Sequence, residues 1–162
     1  MTNLTIPNPT SLIQRATDRL TDWLARYSVQ VLRISLGAVI LGFGAVKFIP
    51  GASPAEPLVM RTVDALTFGM VTGQTAVLVT AVTEVLIGLV LVTGKFLRIG
   101  LLAVAGWLVG IMSPVVLFFS DMFPADGPTL EAQYVLKDLV LGAAALVIAA
   151  RALGARMTTE SE

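Results

Sequence analysis

The chain has 162 residues, of which 56% are hydrophobic and only 14% charged, against roughly 25% charged in an ordinary soluble domain. Its mean hydropathy is +0.84, its formal net charge is zero, and it contains neither cysteine nor histidine. Balanced charge excludes a long-range field that would gather nucleic acid or acidic substrates. The missing residue types exclude disulfides, thiol catalysis, His-ligated haem, and zinc or iron–sulfur sites of the ordinary kind, so no metal site is expected.

Residues 1–28 are expected to form a polar segment followed by an interfacial helix. The first ten residues are polar and include Pro7 and Pro9, unlike the basic start and short apolar stretch of a secretory signal. Beyond them Ile13, Ala16, Leu20, Trp23, Leu24 and Tyr27 recur at helical spacing, with Arg15, Asp18, Arg19, Asp22 and Arg26 mostly off that face. Such a pattern predicts an amphipathic helix lying on the membrane surface, either as a lead-in to the first span or as a docking face for a soluble partner.

A span needs about 20 apolar residues. Residues 29–49, 71–93, 96–120 and 132–152 satisfy this, so 29–152 reads as one four-span membrane domain, with 153–162 as a polar tail. Pro50-Gly51 ends the first span, and residues 57–69 have room for a short external helix, too short to cross. Gly94-Lys95 forces a tight turn between the second and third spans, while Pro124 and Asp126-Gly127-Pro128 mark the last loop. In the third span, Gly106 and Gly110 form a GxxxG pair that reads as packing. Ser113-Pro114 predicts a kink, and Trp107 reads as core. The fold class is therefore all-α, an integral membrane four-helix bundle. Arg15, Arg19, Arg26, Lys95, Arg98, Arg151 and Arg156 flank one side of the spans, and Arg61 alone lies outside the spans on the other. Both termini are thus expected to be cytoplasmic.

Within the spans charge is rare, and it is expensive in lipid unless paired. Glu84 lies mid-way along the second span; Arg33, Lys47, Lys137 and Asp138 are the other candidates for a buried polar cluster. Arg33, Gly37, Ile40, Gly44 and Lys47 share one face of the first helix. Gly73, Val77, Thr80, Glu84, Gly88 and Leu91 share a face of the second, and Tyr134, Asp138, Gly142, Ala145 and Ala149 one of the fourth. Small residues beside polar ones suit close helix contacts bridged by side-chain bonds. At 1.5 Å per residue, Arg33 lies ~6 Å into the inner leaflet and Glu84 ~14 Å from the cytoplasmic end of its helix. These depths predict Arg33 pairing with Glu84, and Lys47 with Asp138. Lys137 is rotated by about 100° from Asp138 and is free to face elsewhere. Other readings stand beside this one. The three cations can snorkel, and Asp138 can sit at a helix start. Glu84 is open to three roles: a structural ion pair, an acid in a cavity, or a neutral lipid-facing side chain. The five groups carry one surplus positive charge, which would suit an anionic ligand, a lipid headgroup or a quinone carbonyl.

The segments Leu32-Arg33-Ile34-Ser35-Leu36-Gly37, Gly42-Phe43-Gly44-Ala45-Val46-Lys47-Phe48, Glu84-Val85-Leu86-Ile87-Gly88 and Thr93-Gly94-Lys95, with Arg98, resemble the DoxX-like superfamily of small bacterial inner-membrane proteins. The likeness covers about residues 29–152. Many relatives carry His-Gly where Phe43-Gly44 stands, so the chain is closer to the branch with a Gly-Ala-x-Lys-Phe motif. The resemblance implies a four-helix bundle in the bacterial inner membrane and an association with redox chemistry, since relatives include the membrane subunit of thiosulfate:quinone oxidoreductase and proteins of thiol homeostasis. The expected function is accordingly the membrane subunit of a quinone- or thiol-linked redox assembly. A quinone is the expected cofactor, with no covalently bound group. The expected partners are the lipid bilayer, soluble or membrane redox subunits, and further copies of the chain. A small transporter or proton-coupled permease using Glu84, and a scaffold without chemistry, are the alternatives.

Overall fold

The computed structural model describes residues 9–155. The first eight residues of the expected N-terminal segment, and residues 156–162 of the expected tail, lie outside the described residues. The described chain is all-helical, with no strand. Its elements are α1 (Pro9–Val46), α2 (Glu56–Leu66), α3 (Gly73–Thr93), α4 (Leu97–Met112), α5 (Pro114–Leu117), α6 (Phe119–Met122) and α7 (Leu130–Ala152). Among the described residues, three stretches are long and apolar enough to cross a membrane: Leu12–Val46, Gly73–Thr93 and Leu97–Leu117. They mark the chain as a membrane protein. The fourth long helix, α7, has 23 residues and includes Glu131, Lys137, Asp138 and Arg151.

The expected surface helix and the first span are one element. α1 has 38 residues, about 57 Å at 1.5 Å per residue. Nothing between Pro9 and Gly37 breaks it, because that stretch holds no other glycine or proline. The helix stops at Val46, short of the expected Ile49, and unwinds through short turns in which Lys47, Phe48 and Ile49 donate to the carbonyls of Gly44, Ala45 and Val46 at 3.1–3.3 Å. Gly51, at φ +74°, then reverses the chain, and its N–H donates to Glu56 Oε2 at 2.8 Å. Irregular backbone is thereby satisfied locally, which an apolar surrounding requires.

The short external helix forms as α2. The turn between α3 and α4 closes on Gly94, which sits at φ +73° as the C-cap of α3 and donates its N–H to Val90 at 2.9 Å. At the position of the expected kink Ser113 separates α4 from α5 with its own backbone still helical, at φ −58° and ψ −32°, and its hydroxyl donates to Gly110 at 2.6 Å. α7 begins behind Pro128, with Thr129 Oγ1 accepting the Ala132 N–H at 3.2 Å, the ordinary N-cap arrangement.

α1 and α3 pack closely. A Cβ on Gly88 would lie 2.5 Å from Leu41 Cβ, one on Gly37 2.8 Å from Leu91 Cβ, and one on Gly44 2.8 Å from Glu84 Cβ. The helices touch backbone to backbone at these notches, as small residues permit in lipid. By contrast, a Cβ on Gly106 or Gly110 would meet nothing within 4 Å. The expected GxxxG packing is therefore not made within the described residues.

Apolar packing forms two separate clusters. Toward the α3–α4 turn, Leu36, Ile40, Ile87, Leu91, Val104, Ala145 and Ile148 are buried together. Toward the opposite end, Met122, Ala132 and Val135 gather Leu58, Met112, Val115, Phe118 and Phe123 around them. Lys47, Glu84, Lys137 and Asp138 lie between.

Candidate functional site

Glu84 sits at the middle of α3, and its side chain is 3% exposed. Lys47, on the turn that ends α1, is 5% exposed and places Nζ 2.6 Å from Glu84 Oε2. The ammonium also approaches the Phe43 carbonyl at 3.4 Å. The other carboxylate oxygen, Oε1, accepts the indole N–H of Trp107 at 3.2 Å. Thus α1, α3 and α4 each contribute one group to a single polar knot. Among the described residues no buried side-chain nitrogen or oxygen lacks a hydrogen-bond partner, the condition under which such a knot is tolerated in an apolar interior.

The pairing in the structure differs from the one that depth predicts. Glu84 bonds Lys47, not Arg33. Arg33 reaches the end of α3 instead, donating from Nη1 to the carbonyls of Leu91 at 2.5 Å and Val92 at 3.4 Å. These are the carbonyls that a helix C-terminus leaves without intrahelical partners, and a cation there also suits the helix dipole. Gly94 completes that arrangement, because a Cβ at 94 would lie 2.5 Å from Arg33 Nη1. Asp138 forms no ion pair among the described residues; the two pairs present are Lys47–Glu84 and Arg61–Asp121.

A cavity of about 250 Å³ opens above the knot. Four of the five expected site residues line it: Lys47, Glu84, Lys137 and Asp138; Arg33 does not. Asp138 is half-buried and Lys137 exposed. The Lys137 ammonium lies 4.0 Å from the Tyr134 ring centre and 5.4 Å from that of Phe43, close enough for cation–π attraction. One wall belongs to α2, whose Leu58, Val59, Thr62, Val63 and Leu66 line the cavity at helical spacing, with Ala55 just before it. That wall is fastened by Arg61, which pairs with Asp121 of α6 and stacks 3.8 Å from the Phe118 ring centre.

Removing Arg33 from the site changes its charge. Lys47 and Lys137 balance Glu84 and Asp138, so the lining is neutral and the surplus cation expected from sequence is absent from it. The cavity is therefore an apolar chamber with a neutral polar floor. Lys47 lines the cavity and has three N–H donors, two of them engaged by Glu84 and the Phe43 carbonyl, which leaves one to spare.

From sequence, Leu58, Val59, Val63 and Leu66 fall on a short external helix able to cap the bundle and Tyr134 shares a face with Asp138, but none of these, nor Trp107 or Phe43, is legible there as lining the site. Trp107 carried a usable signal: an indole N–H in the middle of an apolar helix must find an acceptor, and intramembrane acceptors are few. The α2 wall carried a weaker one, an apolar stripe on a helix too short to span. No protein-family model, curated protein or solved structure matches the chain.

Proposed function

We propose that the protein is a membrane-embedded quinone-binding subunit of a redox assembly. The observation that carries this reading is the Lys47–Glu84–Trp107 knot on the floor of an otherwise apolar cavity. A neutral lining disfavours ions and favours an uncharged apolar molecule with a few polar atoms, the general character of small-molecule sites. The spare Lys47 donor suits a ring carbonyl, and the Phe43 and Tyr134 rings suit a flat ring. With no cysteine or histidine, and no metal-binding cluster among the described residues, to carry electrons, the chain would supply the binding site. A partner subunit would supply the electron-transfer groups.

The DoxX-like resemblance belongs to the same proposal. Its support is that Arg33, Lys47 and Glu84, the polar residues that carry the likeness, are the ones engaged between α1 and α3. So do four membrane spans with both termini cytoplasmic in a bacterial inner membrane. Support for that topology is the gathering of Lys95, Arg98 and Arg151 at the end of the bundle where α3 meets α4 and α7 finishes.

The test uses the two tryptophans of the chain. In Trp23→Phe protein Trp107 alone fluoresces, and titration with short-chain ubiquinone or menaquinone should quench it saturably. Quenching that rises without saturation, as in protein-free lipid controls, would reject the reading.

A further inference from the structure

The cavity is too small for a whole membrane quinone. Its volume of about 250 Å³ lies below the roughly 300–1,000 Å³ of sites that enclose drug-sized ligands; it has room for one substituted ring. Several lining residues are also exposed at the protein surface. Val79, 52% exposed, and Thr83 lie one turn apart on α3 and both line the cavity. They lie about 9 and 15 Å along α3 from its first residue, well inside the span. An opening at that depth faces acyl chains, not water. Away from the α3–α4 turn, α2 shuts the cavity with an apolar face and is held by Arg61 against Asp121 and Phe118.

We infer that the ligand is drawn sideways from the bilayer and carries a long apolar tail, which leaves the cavity along Val79 and Thr83 while the ring sits over Lys47, Glu84 and Trp107. This deepens the quinone-binding reading and rests on it. The tail contributes to binding by covering Val79 and neighbouring apolar surface of α3, and the ring contributes orientation through the Lys47 donor.

The experiment compares a tailed ubiquinone (ten-carbon chain) with its tail-less ring, titrated into Trp23→Phe protein in lipid nanodiscs and followed by Trp107 quenching, with concentrations expressed per lipid. Wild-type affinity for the tailed compound should exceed that for the ring by at least tenfold. Val79→Phe and Thr83→Phe, which fill the tail path without adding a second tryptophan, should remove most of that advantage, and a melting point close to wild type shows that the variants are folded. Equal affinity for the two compounds, or variants that leave the advantage intact or weaken both compounds alike, would overturn the inference. Binding of neither compound to the wild-type background rejects the quinone reading itself, and the tail path with it.

Discussion

Lys47 Nζ and Glu84 Oε2 lie 2.6 Å apart with both side chains almost wholly buried, on helices that touch through Gly44. Removing one partner leaves the other charge stranded in an apolar interior. That typically costs about 3–5 kcal/mol, whereas replacing both partners with apolar residues is often neutral. Glu84→Gln and Lys47→Met should each lower thermal stability sharply in detergent. The double variant Lys47→Met with Glu84→Met should recover most of the loss yet bind no quinone. If the double variant keeps saturable Trp107 quenching, the pair is a structural lock without a part in binding.

The α1–α3 notches make a second prediction. Gly44→Ala, Gly88→Ala and Gly37→Ala each place a methyl group at 2.5–2.8 Å from a neighbouring Cβ. Overpacking of this kind costs about 1–3 kcal/mol. Gly106→Ala and Gly110→Ala meet open space and should be neutral in the same detergent melts. A melting point for Gly88→Ala equal to wild type would show that the helices do not approach this closely.

Arg33 separates structural from binding residues. Arg33→Gln weakens the cap on the Leu91 and Val92 carbonyls, and hydrogen bonds to a charged group contribute about 1.5–3 kcal/mol. Because Arg33 does not line the cavity, the loss should appear in thermal stability alone. Quinone affinity measured on the folded fraction should stay within twofold of wild type. Arg33→Lys should recover part of the stability, since it keeps the charge at the helix end. A tenfold loss of affinity in Arg33→Gln would return Arg33 to the site.

The swap of partners shows what was legible in the sequence and what was not. The inward faces of α1 and α3 followed from spacing, and Gly37, Ile40, Gly44, Lys47, Val77, Glu84, Gly88 and Leu91 are all buried. Their relative depth did not follow, because it was counted from where the apolar run begins, which put Val29 level with Thr93. In the structure Gly37 lies beside Leu91 and Val92, and Gly44 beside Ala81 and Val85. This slides α1 by about six residues, or ~9 Å, which carries Lys47 down to Glu84 and moves Arg33 away from it to the end of α3. The slide is set by which glycine receives which side chain, Gly88 under Leu41 and Gly37 under Leu91. A periodic pattern identifies the face but not that match. The continuity of α1 was legible in the absence of any breaker between Pro9 and Gly37. The amphipathic pattern of its first turns, which reads equally well on a separate helix, hid it.

The exposed fastening of α2 is expected to contribute little to stability. Arg61 and Asp121 are 51% and 59% exposed, and exposed pairs are worth about 0–1 kcal/mol. Arg61→Ala should therefore change the melting point only slightly. It also removes the stacking on Phe118, so α2 should open more often. Hydrogen exchange at Val59–Leu66 should then accelerate while exchange across α3 is unchanged. Equal acceleration in both helices would mean that α2 and the bundle open as one unit.

The proposed topology can be read directly because the chain has no cysteine of its own. Lys95→Cys lies in the α3–α4 turn, and Asp126→Cys in the loop before α7, both exposed. With both termini cytoplasmic and α7 crossing, a membrane-impermeant maleimide applied to intact cells should label Asp126→Cys and spare Lys95→Cys until the membrane is broken. Arg151→Cys, at the far end of α7, should behave like Lys95→Cys. Labelling of Arg151→Cys and Asp126→Cys from the same side would mean that α7 does not cross, leaving the three apolar stretches as the only spans. The charge on α7 makes this outcome a real alternative. Lys137 and Asp138 lie within its first half, Lys137 exposed and Asp138 half-buried at the edge of the cavity, and charge so placed is expensive in lipid.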